Sequence, residues 1–410
     1  MTIFTVVMAT YGRGRHILPS VRSVLGQGLR DFELLVVGDA CADETEVVVR
    51  GLDDPRVRWL NLAERVGSQS GPNNAGIAAA RSDHIAYLGH DDIWEPDHLE
   101  RMAAVFAGGA ADFVMSGSIL HPPPGVDMVE VMGLFPEGTD IRRHFFPPSA
   151  FAHRREAVER IGGWRLPMEI RPPVDDDLLQ RAAEAGLRFR STGVVTVHKF
   201  SAAQRYLSYL CQSSDEQEAM LAAMARPDHA DRVAETVEKA RAAGRFMVQV
   251  RKDYSGVAPG ELARRAIDRR GARAVPLAAL GEGTVIRHPV ERQNLDWKRQ
   301  PILGFRLNKL NPRPRLLLPV TGGRARLSFL AACREASALG PIRLDCNGAK
   351  VEARPGRRWY GILAWFARYE VDIELHPDRP SLLELHLTES QRPIRRRRRL
   401  GIGPLHLSPA

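Results

Sequence analysis

Two adjacent carboxylates, Asp91 and Asp92, follow Ile85, Tyr87 and Leu88, a short apolar run that reads as a buried strand. Adjacent acids repel, and taking either out of water costs roughly several kcal/mol unless a cation or proton compensates. An acid pair at the end of a core strand is therefore a candidate divalent-metal site, because hard cations take oxygen ligands. The plainer account is a solvated turn, with Pro96 opening a helix that carries Leu99, Met102, Ala103 and Phe106. A second acidic group is Asp175-Asp176-Asp177. The helix macrodipole favours acids in a first helical turn, but three in a row exceed that need and point to a functional carboxylate. His198 ends the run Val194-Val195-Thr196-Val197. A lone histidine is usually structural; at a strand end beside a suspected metal site it is a candidate ligand.

These residues need a scaffold, and the first half of the chain supplies the pattern of one. Apolar runs at 3–8, 32–37, 57–60, 84–88 and 111–116 have strand length. Between them, Ile17, Leu18, Val21, Val24 and Leu25 recur at helical spacing, so residues 15–27 should form an amphipathic helix. Further helices are expected around Val47-Val48, over Asn73–Arg81 and after Pro96. Strands alternating with helices predict a mainly parallel sheet with helices on both faces. Ligands bind such sheets at the carboxyl ends of the strands. Tyr11, Asp39 and Asp91-Asp92 follow three of those ends and should converge on one crevice. The Gly12-x-Gly14 pair does not make a dinucleotide fingerprint: a third glycine is missing, and Tyr11 and two arginines stand where small residues are needed.

The 410 residues suggest two or three domains, at roughly 100–200 residues each. Hydrophobic residues at 44% and charged residues at 26% allow a sizeable core. The net charge of +9 favours anionic partners without choosing among them: nucleotides, phosphorylated lipids, acidic glycans, nucleic acid or an anionic membrane. Cys41, Cys211, Cys333 and Cys346 lie far apart, which suggests neither a disulfide framework nor a zinc motif. No signal peptide and no run of 18 apolar residues is evident, so a cytoplasmic, membrane-peripheral protein is expected.

Taken in order, the pieces resemble inverting glycosyltransferases of family 2, which have the GT-A (nucleotide-diphospho-sugar transferase-like) fold. The resemblance rests on Ala9-Thr10-Tyr11-Gly12-Arg13, Ser23-Val24-Leu25-Gly26-Gln27, Val37-Gly38-Asp39-Ala40-Cys41-Ala42-Asp43 and Gly67 to Ile77. It continues through Leu88-Gly89-His90-Asp91-Asp92, Gly162-Gly163-Trp164 and Asp175-Asp176-Asp177-Leu178, and covers about residues 3–205. It implies that Tyr11, Asp39, Gly67 and Asn74 bind the donor nucleotide, with Tyr11 against the base and Asp39 accepting from its ring. It implies that Asp91, Asp92 and His198 hold Mn2+ or Mg2+, and that Asp175 is the catalytic base. The implied partners are a nucleotide-diphosphate sugar, with UDP-sugar favoured, and a glycan or lipid-linked acceptor; no nucleic acid is expected. Gly89 stands where the family's metal motif has its first aspartate. Gly38 and Cys41 replace an acid and a serine in the nucleotide turn. The alternative is a catalytically silent nucleotide- or glycan-binding protein of the same fold.

Residues 1–205 are thus the expected catalytic domain, 206–300 a helical extension and linker, and 301–410 an all-β accessory domain of β-sandwich type. In the last, short apolar stretches alternate with turns, and Asn347-Gly348 is a hairpin signal. Trp359, Tyr360, Trp365 and Phe366 form either core or a carbohydrate-stacking surface. The run Arg395–Arg399 suits an anionic membrane or polyanion, or an edge that blocks aggregation.

Overall fold

The computed structural model describes residues 3–122, 129–144, 146–200, 212–246, 253–262, 275–279, 284–286, 292–302, 305–318, 320–361, 364–377, 381–388, 391 and 400–410. The chain divides into two compact units, Met1–Ile267 and Asp268–Ala410.

In the first unit, strands β1 (Phe4–Thr10), β2 (Phe32–Gly38), β3 (Val57–Asn61) and β4 (His84–Tyr87) alternate with helices α1 (Leu18–Leu25), α2 (Thr45–Arg50) and α3 (Ser70–Ala79). After β4 come a two-residue strand β5 (Ile93–Trp94), α4 (His98–Ala107), β6 (Phe113–Leu120), β7 (Glu130–Met132), β8 (Phe151–Arg154), α5 (Arg155–Arg160), α6 (Val174–Glu184) and β9 (Phe189–Lys199). The sheet order is β3-β2-β1-β4-β8-β6-β9-β5, with β7 added on β6. The strands β3, β2, β1 and β4 are mutually parallel, β6 and β9 pair in parallel, and β8 runs antiparallel between β4 and β6.

The central strands are apolar throughout because both faces are covered, as parallel sheets require. Alternate residues serve alternate faces. Phe4, Val6, Met8, Leu34 and Val36 pack with Val21 and Val24 of α1 and with Leu99, Met102 and Phe106 of α4. Val7, Leu35, Val37, Ile85 and Tyr87 pack with Ile77 of α3 and with Leu178 and Leu179 of α6.

Sequence periodicity missed the short pieces. Helix α4 starts at His98 rather than at Pro96, because Ile93-Trp94 first pairs with Val197 and His198 of β9. The strands β7 and β8 were not foreseen; at three and four residues they are too short to show alternation. In the following region the described residues form helices α7 (Asp215–Met224) and α8 (His229–Ala242), and residues 247–252 and 263–274 lie outside the described ones. Among the described residues, no helix is long and apolar enough to cross a membrane.

The second unit is an antiparallel β domain. Its strands neighbour one another in the order Thr284–Ile286, Gly401–Pro409, Gly323–Cys333, Trp365–Leu375, Ala349–Tyr360, Ile342–Cys346, Ser381–His386, Phe305–Leu318 and Arg292–Ile302. Asn308 and Lys309 pair back onto Ile402 and Gly401, so the sheet returns on itself. The core includes Leu327, Phe329, Leu344, Tyr369, Ile373, Leu385 and Leu405, with the Phe329 and Tyr369 rings stacked 5.2 Å apart. Positive φ at Asn347 and Gly348 makes the two-residue hairpin that the sequence announced. The stretch 286–300, expected as a linker, contains most of the strand Arg292–Ile302 instead. Phe366 is core, Trp365 half-buried, and Trp359 and Tyr360 are exposed. Arg395–Arg399 and Cys211 lie outside the described residues.

One glycine fixes the spacing of the first layer. A Cβ on Gly76 would stand 2.5 Å from Cγ1 of Val7, so α3 lies directly on β1. Overpacking of this kind costs about 1–3 kcal/mol. Gly76→Ala should therefore lower the unfolding free energy of the first unit by that amount and move its urea midpoint down; an unchanged or raised midpoint would contradict this close packing.

Candidate active site

Three strand ends are tied together at the carboxyl edge of the sheet. The main-chain carbonyl of Thr10, ending β1, accepts from the Asp39 N–H after β2 at 2.9 Å. The Thr10 hydroxyl pairs with Nδ1 of His90, beyond β4, at 3.2 Å. The Asp39 carboxylate accepts from the N–H groups of Val66 and Gly67, both at 2.7 Å, and so anchors the loop after β3. The expected convergence of these strand ends is present in the geometry.

The two central acids differ sharply. Asp92 is fully buried. Its Oδ2 accepts from Lys199 Nζ at 2.8 Å and from the Ser149 hydroxyl, and its Oδ1 accepts from the Phe200 N–H at 3.0 Å. Its lone pairs are largely used by the protein, so Asp92 is a structural anchor rather than the metal ligand that adjacency suggested. Asp91 is held through its main chain, whose carbonyl accepts from Gln217 Nε2 of α7 at 2.8 Å. Among the described residues no hydrogen bond reaches its carboxylate. A Cβ on Gly89 would approach Oδ2 of Asp92 to 2.8 Å and Oδ1 of Asp91 to 3.1 Å. A carboxylate at position 89 would crowd the anchored pair, which accounts physically for the glycine.

Lys199 is the hub that sequence reasoning missed. Burial opposes its charged form, but Asp92, Asp91 and Asp175 more than reverse this, and its pKa is raised. The sequence singled out His198, one residue earlier. Consecutive strand residues face opposite ways, and period alone could not tell which of the two turns toward the acids.

The aspartates of α6 also separate. Asp177 is bonded to Arg181 at 2.7 Å, with Arg165 3.7 Å away, and serves structure. Burial pushes Asp175 up to about 6; Asp176 adds to the rise, while the N–H groups of Asp175 and Asp176 and the Lys199 charge oppose it. A buried carboxylate raised toward neutrality is a candidate proton acceptor.

The remaining expected residues are distributed as follows. Tyr11 is half-buried, with the Arg65 guanidinium 3.7 Å over its ring. Gly67 serves the loop through its N–H to Asp39 and its positive φ. Asn74 exchanges two hydrogen bonds with the main chain of Trp164, at 2.8 and 2.9 Å, so its amide braces the Gly162-Gly163-Trp164 turn rather than facing a nucleotide. His198 is not beside Asp91 and Asp92. Its Nε2 meets Oε1 of Glu95 at 2.7 Å, and His229 Nε2 meets the same oxygen at 2.6 Å.

A divalent ion in the Asp91 cleft fits the residues present in one way. Mg2+ and Mn2+ bind through one or two carboxylates together with substrate phosphates. Asp91 offers a carboxylate that no hydrogen bond reaches among the described residues, and Asp92 is committed to Lys199.

Part of the chain is similar to known proteins. Residues 5–162 match the family model "Glycosyl transferase family 2". The match lies within the first unit, and the mainly antiparallel second unit lies outside it. The succinoglycan biosynthesis protein ExoO of Rhizobium meliloti (strain 1021) is 42% identical over 98 residues, 24% of this chain and 28% of that protein. The UDP-Glc:alpha-D-GlcNAc-diphosphoundecaprenol beta-1,3-glucosyltransferase WfgD of Escherichia coli is 30% identical over 112 residues, 27% and 44% of the respective chains. This chain thus spans less than half the length of either relative. Among solved structures, S. aureus TarS 1-349 in complex with UDP-GlcNAc aligns with a TM-score of 0.43 at 17% identity, over 59% of this chain and 73% of that one.

Removing the hub tests its role. Lys199→Met leaves Asp92 buried without its cation, and breaking such a pair costs about 3–5 kcal/mol. Urea unfolding should show a loss of that size, partly recovered in Asp92→Asn/Lys199→Met. A single variant within about 1 kcal/mol of the parent would contradict the pairing.

Proposed function

We propose that this chain is a metal-dependent inverting glycosyltransferase, moving a sugar from a nucleotide-diphosphate donor to a glycan or glycolipid acceptor in building a surface polysaccharide. The observation that carries this is buried Asp175, raised toward neutral pH, with the Lys199 charge acting both on it and on Asp91, whose carboxylate no hydrogen bond reaches among the described residues. The relatives named for succinoglycan biosynthesis and for glucosyl transfer to a diphosphoundecaprenol-linked sugar support the polysaccharide reading, and a UDP-sugar with it.

The donor nucleotide would lie along the ends of β1 and β2, where Tyr11, Arg65 and the loop tied to Asp39 stand. Asp91 would hold Mn2+ or Mg2+, whose chemistry there is to neutralise charge on the departing diphosphate. The Lys199 ammonium adds fixed positive charge beside the same carboxylates. Asp175 takes the proton of the acceptor hydroxyl as its oxygen bonds to the anomeric carbon. The bond from that carbon to the phosphate oxygen breaks, and its electron pair leaves with the nucleoside diphosphate. Attack opposite the leaving group inverts the centre with one catalytic carboxylate and no covalent intermediate. The basic composition suits an acceptor with a diphosphate or a contact with an anionic membrane face.

The test is sugar release from UDP-sugars with Mn2+ across a pH series. Asp175 must be ionised to accept a proton, so the rate should rise about tenfold per pH unit below about 6 and level off above it. Asp175→Asn should lose at least about 100-fold at every pH. Turnover absent in the parent would instead support the silent binding protein that the missing acid at Gly89 suggests; turnover unchanged in Asp175→Asn would rule out Asp175 as the base.

A further inference from the structure

A second cluster of ligating side chains lies on the other side of β9 from Lys199. Oε1 of Glu95, Nε2 of His198 and Nε2 of His229 all lie within 4.8 Å of one another. They come from three places in the chain. Glu95 follows β5 and is fixed by its main chain: its N–H donates to the Thr196 carbonyl at 3.0 Å, and its carbonyl accepts from Gln27 Nε2 at 2.8 Å. His198 is fully buried in β9, paired with Ile93 of β5. His229 is the first residue of α8. The other ring nitrogen of His198 pairs with Nε2 of His121 at 2.9 Å, and these two rings stack.

We propose that Glu95, His198 and His229 form a zinc-type divalent metal site, separate from the Asp91 cleft, that fastens the start of α8 to the edge of the sheet. Two imidazoles and one carboxylate suit Zn2+ far better than Mg2+ or Ca2+, which prefer all-oxygen sets. A ligating histidine usually engages its second nitrogen with an outer partner that fixes the ring, and His121 stands in that position for His198. The present contacts of 2.6 and 2.7 Å are hydrogen-bond lengths. Tetrahedral bonds of about 2.0–2.1 Å put ligand atoms about 3.3–3.4 Å apart, so each contact must open by about 0.7 Å. That is a side-chain adjustment, and of the two imidazoles His229 is the more exposed. The ion would displace the protons now shared with Glu95. Farther along α8, Val233, Val237 and Ala240 pack against Ile119 and Val131, so the metal would secure the end of the helix that this apolar contact leaves unheld. The inference does not depend on the glycosyl-transfer reading.

The test is Zn2+ binding to the tag-free full chain after chelator treatment and dialysis, by competition with a chromophoric chelator. One Zn2+ per chain should bind with sub-micromolar affinity and raise the melting temperature. Co2+ in its place should give the strong visible absorption of a four-coordinate ion. His229→Gln and Glu95→Gln keep the volume and a hydrogen-bonding group, and each should weaken binding by at least about 100-fold and abolish the melting shift. Asp91→Asn should leave Zn2+ affinity unchanged. No Zn2+ uptake by the parent in the micromolar range, or uptake that survives His229→Gln, would overturn the proposal; so would uptake lost in Asp91→Asn.

Discussion

The buried ion pair between Asp92 and Lys199 is the constraint on which the rest of the cleft depends. A carboxylate with no exposure to water, at the end of β4, is tolerable only because an ammonium and two further donors meet it. The pair joins the end of β4 to the end of β9, and Ser149 ties in the antiparallel segment around β8. With Asp92 so occupied, its neighbour Asp91 is left with an open carboxylate, held in place by its main chain through Gln217 of α7. Burial beside this group raises Asp175, while the Lys199 charge keeps it within reach of ionisation at neutral pH. The charge pair thus sets the geometry around Asp91, while burial is the main cause of the raised proton affinity of the proposed base and Lys199 only moderates it.

Much of this was legible in the sequence, for identifiable reasons. Long apolar runs such as 32–37 could only be central strands, and acids just beyond them had to sit at strand ends. The order Tyr11, Asp39, Asp91-Asp92, Asp175 was enough to recognise the family. Partner choice was not legible. Nothing in the adjacency of Asp91 and Asp92 says which one meets a lysine 107 residues away. Nor does the pattern of β9 say that Lys199, and not His198, turns inward. Asn74 matched a motif position, yet both ends of its amide are spent on Trp164. The short strands β5, β7 and β8 escaped because two to four residues carry no period, and the strand Arg292–Ile302 escaped because it is mostly polar.

Gly89 looked like a defect while the motif was compared residue by residue. In the folded chain it is a spacing requirement, since any side chain there meets the carboxylates of Asp91 and Asp92. On the proposed function, Asp91 would hold the ion with the help of the donor's own phosphates. His198 and His229, gathered around Glu95, belong to a different set of contacts altogether.

The central claim is that Asp91 alone anchors the ion through which a nucleoside diphosphate is held. Calorimetric titration of UDP into the full chain, with and without Mn2+, tests it most directly. Binding should require Mn2+ in the parent and disappear in Asp91→Asn, whose fold is retained. Mn2+-dependent binding that persists unchanged in Asp91→Asn, or UDP binding indifferent to Mn2+ in the parent, would contradict it.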